Sequence, residues 1–484
     1  MVNKTLSALL ICATVLLNIS AQPIAEMTET DRIVHLLNRA GYGPRPGDVE
    51  SVLQQGRLKY IDEQLLPAYI DDSAIGPRLS LFDTWELMPA ELRSKYLRDP
   101  RPVIEQLQEV MVDFWFNHFN VNAGKEGVQF VATSYEKDVI RPNALGKFKD
   151  LLRATAKHPA MLVFLDNAMS SAAGINENYA RELMELHTMG VNGGYLQRDV
   201  EQVARAFTGW TLTEDGLGFA FRKDMHAPGN KVVLEQTIPS GGMDEGEAVL
   251  KILADHPSTA NFIAAKLVRR FVSDNPPKAL VNRVAEVFTE TDGDIRAMVR
   301  TILTSQEFSG PAAMRSKAKS PFEAVVSSMR AINATLLVSV DAQSAQGAMR
   351  GLPAGDIVLT KAGGARIRVS PAVIITRAIQ DMGQFSYQNP EPTGYPDRSD
   401  YWLSGWNVLN RTRFAVALMK NEVLGTTVDT NRLSTTSGKA TKEAALAELM
   451  APAAMTPKKI SSPADPDLVD AFVLALGSPE FQQK

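Results

Sequence analysis

Two short stretches carry most of the side chains able to do chemistry. The first, "FWFNHFNV" (Phe114 to Val121), sets His118 and two asparagines among aromatic residues. The second, "NENYARELMELHTMG", holds Arg181, Glu182, Glu185 and His187 within seven positions. Imidazole and carboxylate together can hold a divalent metal or move protons near neutral pH. With metal–nitrogen bonds near 2 Å, a centre shared by His118 and His187 would need their nitrogens within about 4–5 Å of each other and of a carboxylate. At about 100° per residue, Asn178, Arg181, Glu182, Glu185 and Met189 fall on one side of the second stretch. Tyr179, Ala180, Leu183, Met184, Leu186 and His187 fall on the other. His187 and the two glutamates therefore cannot chelate one ion from this helix alone. A helix through "FWFNHF" likewise puts His118 in a stripe with Leu107, Met111, Phe114 and Trp115, with Asp113 and Asn117 elsewhere. Two histidines on apolar faces are expected inside the molecule, each neutral and hydrogen-bonded to a carbonyl or carboxylate, and able to meet there.

The other chemically able residues read as structural. His158 and His256 precede prolines that open helices ("KHPAML", "DHPSTA") and are expected at helix entries. His226 lies in the loop "DMHAPGNK". Asp166, Asn167, Ser170, Ser171, Asn176 and Glu177 crowd oxygens together, but without an EF-hand spacing, and are expected to serve caps and turns. No H-E-x-x-H, G-x-S-x-G, Walker-type or G-x-G-x-x-G signature is present, so the zinc-protease, α/β-hydrolase, nucleotide and Rossmann readings have no support.

The elements that must position these residues are mainly α, in one large multi-helix domain over 31–484. Helices are expected in "DRIVHLLNRAGYG", starting after Asp31, then "RPGDVESVLQQG", "LKYIDEQLL" and "RPVIEQLQEVMVDFWFNHF". In "KSPFEAVVSSMRAI", Ser320, Pro321 and Glu323 form a capping box. Strand-like runs occur only around 210–240, as a small β-hairpin insertion. "ILTSQEF" and "ALGSPEF" echo one another, and Ser305 and Ser478 are expected to cap short turns that dock the phenylalanines. The Pro- and aromatic-rich segment 387–406 and the stretches 426–442 and 451–467 are expected to be flexible.

The chain has 484 residues, a net charge of −4 and a pI near 6.0, with no basic stripe to suggest a nucleic-acid partner. Residues 1–21 read as a secretory signal peptide: one lysine, the apolar run Leu6 to Leu17, then small and polar residues. That run is short of the about 20 residues a membrane span needs, and no other segment reads as transmembrane after signal removal. The only cysteine, Cys12, lies inside it, so the mature chain would have neither disulfides nor thiolate metal sites. Export to the periplasm or beyond follows as an expectation.

The stretches "NRAGYGPRPGDVE", "FWFNHFNV", "YEKDVIRPNALGKFKDLL", "HPAMLVFLDN", "NENYARELMELHTMGV" and "DVEQVARAFTGWT" together resemble a large bacterial family known as domain of unknown function eighteen hundred. The resemblance covers the chain from about Asp31 to the final "SPEF". It implies export and a large, mostly helical domain but no established activity. It also points to a partner, since family members are often encoded beside secreted proteins resembling the alkaline phosphatase and sulfatase superfamily. The family motif usually has histidine where Phe116 and Asn143 stand here, while His118, Arg181, Glu182, Glu185 and His187 match it. A histidine-rich metal site would have lost two ligands in this chain, and phenylalanine cannot coordinate a metal.

Two function classes follow. The preferred one is an envelope or extracellular binding or escort protein acting with a partner protein. The alternative is a metal-assisted hydrolase or oxidoreductase centred on His118 and His187, with Glu182 or Glu185 as carboxylate ligand, Arg181 nearby and a divalent metal as cofactor.

Overall fold

The computed structural model describes residues 27–67, 106–336, 371–423, 426–429 and 468–484. The expected signal peptide, residues 1–21, and most of 426–467 lie outside the described residues. The fold is mainly α. Helices from Glu29–Arg39 to Leu468–Gly477 pack round one apolar cluster that runs from Ile33 to Leu476. Among the described residues no helix is long and apolar enough to cross a membrane.

Local sequence explains most of the elements. The first helix is Glu29–Arg39, and it starts earlier than the sequence suggests. Thr28 is its cap, and Asp31 is the third helical residue, returning a hydrogen bond to the Thr28 backbone. Ser320 and Glu323 form the expected capping box of Pro321–Ala331. His158 and His256 open their helices by accepting from Ala160 N (3.2 Å) and Ser258 N (3.1 Å). Ser305 and Ser478 accept from Phe308 N and Phe481 N, so the two Ser-x-Glu-Phe echoes are indeed capped turns. Asn167 and Ser170 bind nearby backbone, and Asp166 pairs with Lys125 at 2.5 Å.

The β-structure is two antiparallel two-stranded ladders, Trp210–Leu212 with Phe219–Phe221 and Lys231–Val233 with Gln236–Ile238. A third ladder, Thr335–Leu336 with Thr426–Thr427, is not visible in the residue pattern, because two-residue strands leave no alternation to read. Beside the second ladder, Lys231 and Glu245 form a buried ion pair, and His226 reaches Glu245 at 3.2 Å. The loop histidine is thus part of a structural knot.

Two segments depart from α-geometry. Tyr135–Ile140 and Leu183–Thr188 are π-helical, with Met189 N bonding back five residues to Met184 O (3.0 Å). A wheel at 100° per residue does not describe the chain beyond Leu183. Arg141 holds the first π-segment to the Gln106–His118 helix, pairing with Glu109 and with Glu136 (3.0 Å).

Candidate functional site

Three elements meet around a cleft of about 850 Å3: the Gln106–His118 helix, the end of Pro257–Phe271 and the loop from Gln384 to Trp402. The motif "FWFNHFNV" builds much of it. Trp115 donates from Nε1 to Ala144 O (3.0 Å) and fixes the helix to the chain after the first π-segment. Phe116 packs edge-to-face on Tyr387, with ring centroids 4.4 Å apart. Asn117 and Asn120 then act as substitutes for a neighbouring strand. Asn117 accepts from Tyr395 N (2.7 Å) and donates to Tyr395 O (2.9 Å). Asn120 donates to Asn389 O (3.0 Å) and Glu391 O (2.8 Å). Ala123 N adds a bond to Tyr387 O (2.6 Å).

The Pro/aromatic segment 387–406 is therefore bound along its backbone and roofs the cleft. Its closest approach is at Gly394, where φ is +68° and a Cβ would collide with the Asn117 carbonyl oxygen. Gly394→Ala is expected to cost about 1–3 kcal/mol through strain and displacement of the roof. Urea unfolding and limited proteolysis within 385–400 check this, and unchanged values in both would show a roof that yields freely.

His118 and His187 do meet, as the two apolar stripes suggest. Both are about 1% exposed, and their ring centroids lie 6.2 Å apart. They do not form a ligand pair, because His118 Nε2 lies 3.1 Å from the His187 carbonyl oxygen and donates to it. That bond makes Nδ1 of His118 the bare nitrogen, and it has no partner among the described residues, nor does His187 Nε2. Burial holds His118 well below the usual histidine range, helped by Lys266 and then His187. Burial and Lys266 bring His187 down to about 3. Both rings are neutral at physiological pH.

The other expected site residues lie apart, half-buried on the second stretch. Arg181 pairs with Glu177 (3.0 Å), bonds Gln197 (3.0 Å) and lies 3.8 Å from Glu185. Glu185 also meets the Tyr195 hydroxyl. Burial, then Glu185, raises the Glu182 carboxyl, against Arg181. Among the described residues, no three His, Cys, Asp or Glu side chains are grouped so as to hold a metal ion. The donors among the described residues do not fit a divalent metal. Asn143 bonds Val139 O (2.8 Å).

The cleft holds charged groups the sequence does not reveal. Lys266, Arg269 and Arg270 enter from one helix, and Asp397 from the roof. Lys266 is half-buried, 5.5 Å from the Phe262 ring centroid, and makes no hydrogen bond or ion pair with the described residues. Burial lowers its ammonium to about 8, with Asp397 opposing and Arg269 assisting. Arg270 pairs with Glu323 (2.8 Å) but leaves Nε without a partner. Asp397 meets Lys317 at 2.9 Å through Oδ1 and leaves Oδ2 without one. Burial alone would raise the Asp397 carboxyl, but Lys317 and Arg270 outweigh it and hold it low.

A family model described as "Protein of unknown function (DUF1800)" matches residues 35–483. No curated protein and no solved structure matches the chain.

Proposed function

Since the chain belongs to this family, whose description assigns no activity, we propose from the geometry that it is an exported binding protein that holds a polar ligand in the cleft beneath the 384–402 roof. One observation carries the reading. His118 Nδ1, Arg270 Nε and Asp397 Oδ2 are buried, lack partners among the described residues and belong to residues lining the same cleft. A buried polar atom left unpaired costs about 1–3 kcal/mol, so three residues that border one cavity and each carry such an atom favour a molecule that settles there and completes their bonds. The three comprise a bare imidazole nitrogen, a guanidinium N–H and a carboxylate oxygen, which favours a ligand with both donors and acceptors. Catalysis has less support. His118 reaches no serine, threonine or carboxylate, and its Nε2 is taken by a backbone carbonyl.

The test is native mass spectrometry, with elemental analysis, of untagged mature protein purified gently from the periplasm or medium. The expected result is a mass above that of the polypeptide, removed by denaturation and reduced in Asp397→Asn, with no metal at unit occupancy. A stoichiometric metal lost in His118→Ala or His187→Ala, with the fold intact, would overturn the reading in favour of a metal-assisted enzyme.

A further inference from the structure

Within that binding reading, on which this inference rests, we propose that the cleft takes a ligand bearing an anionic group (carboxylate, sulfate or phosphate) seated at Lys266 and Arg269, with the rest of the ligand against the aromatic roof.

The argument is one of charge pairing. The carboxylates at the cleft mostly have cations already. Asp274 and Asp397 both meet Lys317, at 2.7 and 2.9 Å, and Asp400 meets Arg398 at 2.8 Å. Arg270 has Glu323. Lys266 and Arg269 have no carboxylate partner among the described residues, the nearest polar contact being Arg269 Nε to Asp274 O at 3.4 Å. A desolvated ammonium without a counter-ion is unfavourable, and an anion from solution removes the imbalance. The two side chains stand three residues apart on one helix and border the same cavity. Guanidinium and ammonium together suit an oxyanion with several acceptor oxygens. Phe385, 43% exposed, and the half-buried Tyr395 line the same cleft and offer ring surface to a flat or carbohydrate-like body.

The chemistry also predicts a pH dependence. The groups facing Lys266 are Asp397 from the roof, Arg269 on its own helix, and the neutral His118 and His187 from the two histidine elements. Asp397, His118 and His187 are all held low, so the cleft loses attraction for an anion as the Lys266 ammonium deprotonates around 8.

The experiment is thermal-shift and calorimetric titration of the full mature protein with sodium sulfate, inorganic phosphate and sodium acetate. Sodium chloride at matched ionic strength is the reference. At least one of the three is expected to raise Tm saturably, and which one responds identifies the anionic group. Lys266→Gln should weaken that response tenfold or more, while Lys420→Gln, at an exposed site, should leave it unchanged. With sulfate, whose own charge is constant here, affinity should fall about tenfold or more from pH 7 to 9.5. No saturable response to any of the three, or full affinity in Lys266→Gln, would overturn the inference. A neutral co-purified ligand with no anion response would overturn it while leaving the binding reading intact.

Discussion

Glu323→Gln is expected to cost the fold about 3–5 kcal/mol. Glu323 is about 3% exposed, and each of its oxygens has a separate task. Oε1 meets Arg270 Nη2 at 2.8 Å and the Lys484 ammonium. Oε2 accepts from Ser320 N at 2.9 Å, closing the capping box. Burial opposes its charge, yet Arg270 and Lys484 hold the carboxyl well below the usual range. Glutamine keeps the shape and the cap but leaves two buried cations without their anion. Asp397 also acts on Arg270 and Lys484, but it pairs with Lys317, and Lys319 and Lys484 are already lowered to about 7, first by burial. Ser320→Ala removes only the cap and should cost about 1 kcal/mol. Because glutamine retains the cap, the Glu323→Gln cost in urea unfolding measures the ionic part, and Ser320→Ala gives the cap alone for comparison. A Glu323→Gln cost no larger than that of Ser320→Ala would show that the cations are solvated in some other way.

Acid should unfold this protein early, with a midpoint near pH 5. His35, His118, His158, His187 and His256 are all lowered, in each case first by burial, with His158 near 4 and His187 near 3. A histidine with a depressed folded pKa is neutral in the native state and charges only on unfolding. Its contribution to stability is therefore complete above about 6.5 and is lost as pH falls below that value. A histidine whose folded pKa is already below 5 loses about 1.4 kcal/mol per pH unit, or about 2 kcal/mol by pH 5. His158 and His187 together account for about 4 kcal/mol, His35 and His118 add loss in the same direction, and a whole domain's stability is only about 5–15 kcal/mol. Glu323, whose folded pKa is depressed, adds loss in the same direction, though only as pH drops through the carboxylate range. The check is the slope of unfolding free energy against pH between 7 and 5. Removing one site, as in His187→Gln, should lower the slope by about one proton's worth whatever it does to absolute stability. A flat profile over that range would mean the histidines are not buried neutral.

What could be read in advance was whatever depends on neighbours within a few residues. Caps at Ser320, His158, His256, Ser305 and Ser478 follow from local residue order, and all five are present. The meeting of His118 and His187 was legible because each lies mid-stripe on an apolar face. The cleft was not. Lys266 in "NFIAAKLVRRF" looks like an ordinary helix lysine, and nothing nearby states that Asp397 will face it from the roof. Glu323 was readable as a capping residue, but its cations come from positions 270 and 484. The π-segments escaped because a five-residue backbone bond leaves no mark on hydrophobic spacing. Asn117 and Asn120 went unnoticed beside a histidine, although asparagine amides that reach a backbone are common organisers of loops.

The clamp made by those two asparagines grips main-chain atoms only, at positions 389, 391 and 395. The roof's course is thus set by peptide groups that every residue type except proline supplies in full. The side chains it carries over the cleft can be exchanged without moving the frame that holds them. A relative could change what it recognises by rewriting the segment between residues 385 and 396, Gly394 excepted, while retaining "FWFNHFN", much as a lock is re-keyed without replacing its housing.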